Sequence, residues 1–316
     1  MLEFSPLTLQ ELPRLAPWFA QNADRLCDGT VGGEFLWRDY YHIRYAVYAG
    51  ALCLMADYPQ ETEHSEEPFT AFSYPIGGDA EAALQAMAGY AHARNMPLIF
   101  CPASAADTAR ILAHWPLAVI EPRRQWYDYL YAAQDLRDLA GRRFGGQRNH
   151  VNRFMRENPD WHFEKLGPEN LSLVRQFFET FLRESGKEFA AAAEESAKVF
   201  EVLQNWAAYG FVGGVLFVQQ QVAAFALGEI VGDTLYVHTE KASLAWHGTY
   251  PMIVQQMAQA YTPGEQGGVV WINREDDVGD EGLRTVKLSY HPAALLEKNK
   301  VIVAPHLLAA FGQQGQ

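Results

Sequence analysis

Asn273 to Pro292, NREDDVGDEGLRTVKLSYHP, is the stretch on which the assignment of the fold turns. An apolar run, Val269 to Ile272, precedes it with the character of a buried strand, and the spacing then becomes helical. Val278, Leu283, Val286 and Tyr290 can share one helical face, and Arg284, Lys287 and His291 another. Strand, polar turn and cationic helix together make a frame on which a site can be built. The turn carries Asn273, Arg274, Glu275, Asp276 and Asp277, more hydrogen-bonding groups than a plain connector requires, although a solvated surface turn has the same composition. Asp276 and Asp277 are expected as helix caps rather than as catalysts.

Upstream of this stretch the second half of the chain alternates helices and strands. Leu171 to Leu182 repeats apolar residues at helical spacing, and Ala190 to Ala208 forms a second helix. Strands are expected at Phe211 to Val218, Val222 to Ile230 and Thr234 to Thr239, then a helix at Thr249 to Tyr261. A last strand follows the cationic helix, around Leu295 to Val303. The first half runs through nearly the same order. Thr8 to Glu11 has the form of a capping box opening a short helix, and Phe35 to Tyr48 with Ala51 to Tyr58 reads as a hairpin turning at Ala49-Gly50. An acidic loop, Asp57 to Pro68, leads to a strand at Phe69 to Pro75. Helices at Ala80 to Arg94 and Ala105 to His114 flank a strand at Leu98 to Cys101, and Leu117 to Tyr131 is extended. Repetition of element order without a residue-level repeat points to a duplicated α/β unit.

Between the halves the charge pattern changes. From Arg137 to Arg156 six arginines face Asp138 alone, a local balance of +5 in a chain whose net charge is −13. A helix from Gln147 to Asn158 would bury Val151, Phe154 and Met155 and align Arg148, Asn152 and Arg156 on another face. That face can hold an anion, or can be the solvated side of a linker helix. The expected division is a first domain at 1–135, a basic connecting helix at 136–160 and a second domain at 161–316.

Composition bounds the function. A hydrophobic fraction of 49% in 316 residues supports sizeable cores and argues against disorder. The excess of 38 Asp and Glu over 25 Lys and Arg repels polyanions over most of the surface, so DNA binding is not expected, though one local basic patch is allowed. Cys27, Cys53 and Cys101 lack metal or redox spacing and read as buried thiols in a reducing cytoplasm. The N-terminus lacks the basic start and apolar run of an export signal, and no transmembrane segment is expected.

Within the second half, Trp246-His-Gly-Thr-Tyr250 lies at a helix start. Gly248 allows close backbone approach, and the free N–H groups of Thr249 and Tyr250 can receive an anion, or the segment is a plain N-cap. Glu240, in His238-Thr-Glu-Lys-Ala242, could accept a proton from an attacking amine, with an exposed ion pair as the alternative. Lys287 fits an oxyanion stabiliser, or a surface cation on an amphipathic helix. Nucleophile-elbow, phosphate-loop and paired-histidine zinc motifs are missing, and no histidine shows metal-ligand spacing.

Taken together, Tyr127 to Tyr131, Leu139-Ala-Gly141, Gln147 to Phe154 with Pro159, His238 to Ala242, Gly248 to Tyr250 and Asn273 to Pro292 resemble a bacterial family similar to the C-terminal domain of phosphatidylglycerol lysyltransferase. The resemblance implies a tandem of GNAT-like (N-acetyltransferase-like) domains, each a mixed sheet flanked by helices. It further implies transfer of an acyl or aminoacyl group to an amine or hydroxyl, as in lysyl and Fem-type transferases. A lysine stabilising the reaction's anion in a Lys-x-x-aromatic setting corresponds here to Lys287 with Tyr290. Of the acyl-CoA loop of GNAT enzymes, Ala245 to Tyr250 keeps only the first glycine.

These readings assign catalysis to Lys287 and Glu240, and donor binding to Gly248, Thr249 and Tyr250. Substrate binding falls to Arg148, Asn152, Asn273, Arg284 and Tyr290. The donor is a charged tRNA or an acyl-CoA, and the acceptor a small molecule or lipid head group. No metal and no firm cofactor are implied. An acyl-CoA N-acyltransferase and a non-catalytic ligand-binding protein are the alternatives.

Overall fold

The computed structural model describes residues 2–60, 67–185, 190–262 and 268–309, so part of the expected acidic loop, 61–66, lies outside the described residues. Six strands come first: β1 (Ser5–Pro6), β2 (Arg44–Tyr48), β3 (Ala51–Tyr58), β4 (Phe69–Phe72), β5 (Leu98–Ala103) and β6 (Val119–Pro122). The β2–β3 hairpin turns at Ala49 and Gly50, whose φ values of 49° and 76° suit the tight two-residue turn that follows strand twist. β4 and β5 are parallel, and the helix Ala80–His92 makes the crossover that a parallel pair requires. Asp79 and Ser104 cap the helices Ala80–His92 and Ala105–His114 by accepting from Ala82 N and Asp107 N. At the N-terminus the expected capping box is not formed. Thr8 makes no side-chain cap bond, since the Glu11 N–H goes to the Thr8 carbonyl at 3.0 Å, and the Glu11 carboxylate is taken by Arg14 at 2.9 Å.

A second group of strands follows: β7 (Asp128–Ala132), β8 (His162–Lys165), β9 (Val212–Val218), β10 (Gln221–Val231), β11 (Thr234–Ala242), β12 (Trp271–Asn273) and β13 (Ala294–Leu296). They lie in the order β13-β7-β12-β11-β10-β9-β8. β11 and β12 run parallel, joined by the helix Thr249–Tyr261, whose Met252, Ile253 and Met257 share a core with Leu216, Leu235 and Ile272. Helix Leu171–Ser185 brings Phe178 to 5.6 Å from the ring of Phe225. Full burial of such side chains contributes roughly 1.5–3 kcal/mol each.

β14 (Asn299–Val303) returns to the first sheet between β5 and β6. The compact units are therefore Met1–Tyr127 with Leu296–Gln316, and Asp128–Leu295. This division differs from boundaries near 135 and 160 for two physical reasons. β7 pairs with β12, and the basic helix Gly145–Glu157 buries Val151 and Phe154 in the second unit's core instead of standing apart as a linker. The expected single strand from Leu295 to Val303 is likewise two strands in two sheets. Among the described residues no helix is long and apolar enough to cross a membrane.

Candidate functional site

The polar turn after β12 satisfies its own backbone. Asn273 is buried, its Nδ2 donating to Asp128 Oδ2 at 2.8 Å and its Oδ1 accepting from Glu275 N at 2.7 Å. Glu275 and Val278 both sit at positive φ, 55° and 43°. For side chains of this size that conformation must be held by surrounding bonds. Asp276 Oδ1 accepts from Val278 N, and Asp277 Oδ1 from Gly279 N. Neither aspartate caps the helix as expected. Asp280 does so for Glu281–Leu288, accepting from Leu283 N at 2.7 Å. Asp277 instead receives Arg284 through Nε at 2.9 Å and Nη2 at 2.7 Å, and the Tyr129 hydroxyl at 2.6 Å. Burial works against its charge, but Arg284, Tyr129 and the Gly279 N–H hold its carboxyl well below the usual range.

Of the expected apolar face only Tyr290 is buried, and within the helix Glu281–Leu288 the buried residue is Lys287. Val278 is 70% and Val286 51% exposed, whereas Lys287 is 7% exposed. Lys287 Nζ donates to Arg274 O at 2.5 Å and to Asp276 O, and lies 5.6 Å from the centre of the Tyr129 ring. Its backbone carbonyl accepts from the Tyr131 hydroxyl at 2.8 Å. Burial, joined by the Arg274 charge, lowers the lysine pKa against the opposing pull of Glu275, Asp276 and Glu240. An ammonium has three donors, so two carbonyl partners leave one over.

Arg274 is the centre of the cluster. Its Nη2 donates to Glu240 Oε2 at 2.6 Å, and its guanidinium lies 5.0 Å from the Tyr290 ring and 5.8 Å from the Tyr131 ring. Nε and Nη1 are buried without a hydrogen-bond partner among the described residues. Burial opposes the charge, yet the Glu240 carboxylate keeps the guanidinium firmly protonated. Burial pushes the Tyr290 hydroxyl up to about 12. A buried guanidinium with two unused donor nitrogens is costly unless something else receives them, which makes it a receiver for negative charge.

The structure thus gathers Lys287, Glu240 and Tyr290 around Arg274. Tyr250 is half-exposed, and burial of its ring, with the Glu240 charge adding to the effect, raises its pKa. Asn273 and Arg284 are spent on the turn and on Asp277, so they build the wall. Gly248, at φ 84°, serves close packing, since a methyl group there would meet the His150 carbonyl oxygen at 2.5 Å. Thr249 Oγ1 donates to Trp246 O at 2.6 Å. Arg148 is occupied, donating through Nη1 to the Leu139 and Gly141 carbonyls, and Asn152 is exposed on the same helix. Neither bonds the Arg274 cluster among the described residues.

Two features escaped the reading of motifs. Arg274 stood out only as one charge in a charged turn, and its burial follows from a tertiary pair with Glu240. His238 is the other. Leu227 pairs with Thr239 and Gly228 with Val237, leaving His238 as the extra residue of a β-bulge. Its Nδ1 lies 2.7 Å from Glu275 Oε1, its Nε2 2.9 Å from Glu229 Oε1, and its ring stacks on Phe211 at 5.5 Å. Burial disfavours its charge, but the two carboxylates outweigh that and hold its pKa up to about 10. No spacing rule connects residues so far apart in the chain.

Comparison with known proteins bears on the family and the fold. The family model described as phosphatidylglycerol lysyltransferase, C-terminal, matches residues 20–299. A conserved protein of unknown function from Bacteroides thetaiotaomicron superposes with a TM-score of 0.81 at 28% identity, over 96% of this chain and 100% of that one. L-PGS from Bacillus licheniformis gives 0.60 at 15% identity, covering 96% and 97%. FemX gives 0.60 at 10%, covering 98% and 100%. An uncharacterised protein of Mycoplasmoides gallisepticum is 20% identical over 178 residues, 56% of each chain, so this chain spans about half the length of the curated relative it matches. The architecture is a tandem of GNAT-like domains, two mixed sheets flanked by helices. The chain belongs to the phosphatidylglycerol lysyltransferase C-terminal family.

Proposed function

We propose that the second unit transfers an aminoacyl or acyl group to an amine or hydroxyl, with aminoacyl-tRNA as donor and a small molecule or lipid head group as acceptor. The observation that carries this reading is the set of unused buried donors beside a carboxylate: Nε and Nη1 of Arg274, with one N–H of Lys287, next to Glu240. Such donors, fixed before reaction, steady charge that develops only in the transition state. The acceptor's lone pair attacks the donor carbonyl carbon, and the carbonyl π pair moves onto oxygen. Lys287 and Arg274 stabilise that oxyanion. The acceptor's proton passes to Glu240, and collapse breaks the bond to the donor's ester oxygen, which leaves carrying that proton from Glu240. Arg274 occupies Oε2 of Glu240, and Oε1 carries no hydrogen bond among the described residues. Membership of the family and the fold shared with FemX support a transferase of this general kind.

An acyl-CoA donor is less well supported, because Gly248 is committed to packing against His150. A ligand-binding protein without turnover is the competing reading, and the two carbonyls already held by Lys287 favour it. Incubation with labelled lysyl-tRNA or labelled acetyl-CoA and a primary amine separates these. Transfer from the tRNA is expected, with tRNA binding that weakens steeply as salt rises. Glu240→Gln should slow transfer by about 100-fold or more without loss of donor binding. Binding of a donor without any transfer would favour the non-catalytic reading.

A further inference from the structure

Lys287 owes its position to two carbonyls, those of Arg274 and Asp276, and the residue between them is Glu275. Glu275 holds the left-handed conformation, φ 55°, with its N–H on Asn273 Oδ1 and its carbonyl accepting from Tyr129 N. Those bonds fix its backbone. Its carboxylate is fixed by His238, which is braced on the far side by Glu229 of β10 and flanked by Phe211.

We propose that His238 is a positioning residue for Lys287, an imidazolium strut that braces Glu275 against Glu229 and so holds the carbonyls that receive the lysine. A neutral imidazole has one N–H donor and would turn a lone pair toward one of the two carboxylates. Only the protonated ring donates to both. The charged groups facing it are Glu229 and Glu275, and Glu275 in turn acts on Lys287 through its charge. Without the strut, two carboxylates lose the cation between them, the turn gives way, and the ammonium loses its acceptors. A β-bulge is what aims the histidine there, since it removes His238 from the regular pairing of β11.

The kinetic consequence of this proposal rests on the transferase reading above, whereas its structural consequence does not. The test therefore uses two readouts on the full chain. One is the rate at which an amine-reactive reagent labels Lys287, followed against pH by peptide mass spectrometry. The other is single-turnover transfer. His238→Gln should change Lys287 labelling by about tenfold, the equivalent of one pKa unit, while other lysines react as before. Transfer should fall in parallel, and adding Glu229→Gln, which removes one of the two carboxylate charges left without a cation, should restore much of both. Unaltered labelling of Lys287 in folded His238→Gln would overturn the proposal. Altered labelling in a protein that proves to have no transferase activity would sustain the strut and refute only the transferase reading. For the case in which His238→Gln does not fold, nitrogen-15 NMR of histidine-labelled wild-type protein decides. Two N–H protons on the His238 ring at pH 7 are expected, and a neutral tautomer would contradict the strut.

Discussion

Asp277 shows how far a single side chain can be committed. It accepts from Tyr129, twice from Arg284 and once from Gly279, which ties β7, the polar turn and the helix Glu281–Leu288 together. The folded pKa is depressed, so the carboxylate stabilises the native state above the ordinary aspartate range, and that contribution is lost as pH falls through the folded value. Asp277→Asn should cost about 2 kcal/mol at neutral pH, the worth of hydrogen bonds to a charged group. The gap from wild type in denaturant melts should be full at pH 6 and shrink below about pH 4. A gap constant from neutral to strongly acid pH would mean that packing, not charge, accounts for the loss. Residues of this kind were only half legible in the sequence. The turn's density of polar groups marked it out, but which carboxylate caps and which pairs depends on partners such as Tyr129, far away in the chain.

At the scale of elements, periodicity located the helices and strands better than it oriented them. The helices Ala105–His114 and Thr249–Tyr261 lie where their spacing put them. Glu281–Leu288 is the instructive departure. Its apolar residues Leu283 and Val286 face out, and its lysine faces in, because two backbone carbonyls and the tyrosine ring of Tyr129 make a better place for an ammonium than for a methyl group. Hydrophobic spacing cannot register that, since it counts side chains and not the carbonyls of a turn eleven and thirteen residues earlier. Two substitutions separate the faces. Asp280→Ala removes the cap and should cost about 1 kcal/mol, whereas Val286→Glu, on the exposed face, should stay within about 0.5 kcal/mol of wild type. Thermal melts of both proteins check this, and a large loss for Val286→Glu would place that residue against something the chain alone does not supply.

For the whole molecule, the repeated order of elements revealed two similar α/β units, while the crossing of β7 and β14 between the halves stayed hidden. An isolated strand sequence carries its alternation but not the identity of its sheet; β14 pairs with β5 and β6, and β7 with β12, through contacts that span much of the chain. The same limit hid the core of the site. Lys287, Glu240 and Tyr290 could be nominated separately, yet only the folded second unit shows Arg274 joining them and His238 standing behind. The role proposed for Lys287 is to steady the anion of a transfer reaction. It is tested most directly by single-turnover transfer from lysyl-tRNA with Lys287→Met, a side chain of similar length without the charge, alongside a melting curve that confirms the fold. A loss of about 100- to 1,000-fold in the chemical step, with donor binding retained, is the predicted result. Wild-type turnover in a folded Lys287→Met protein would contradict it.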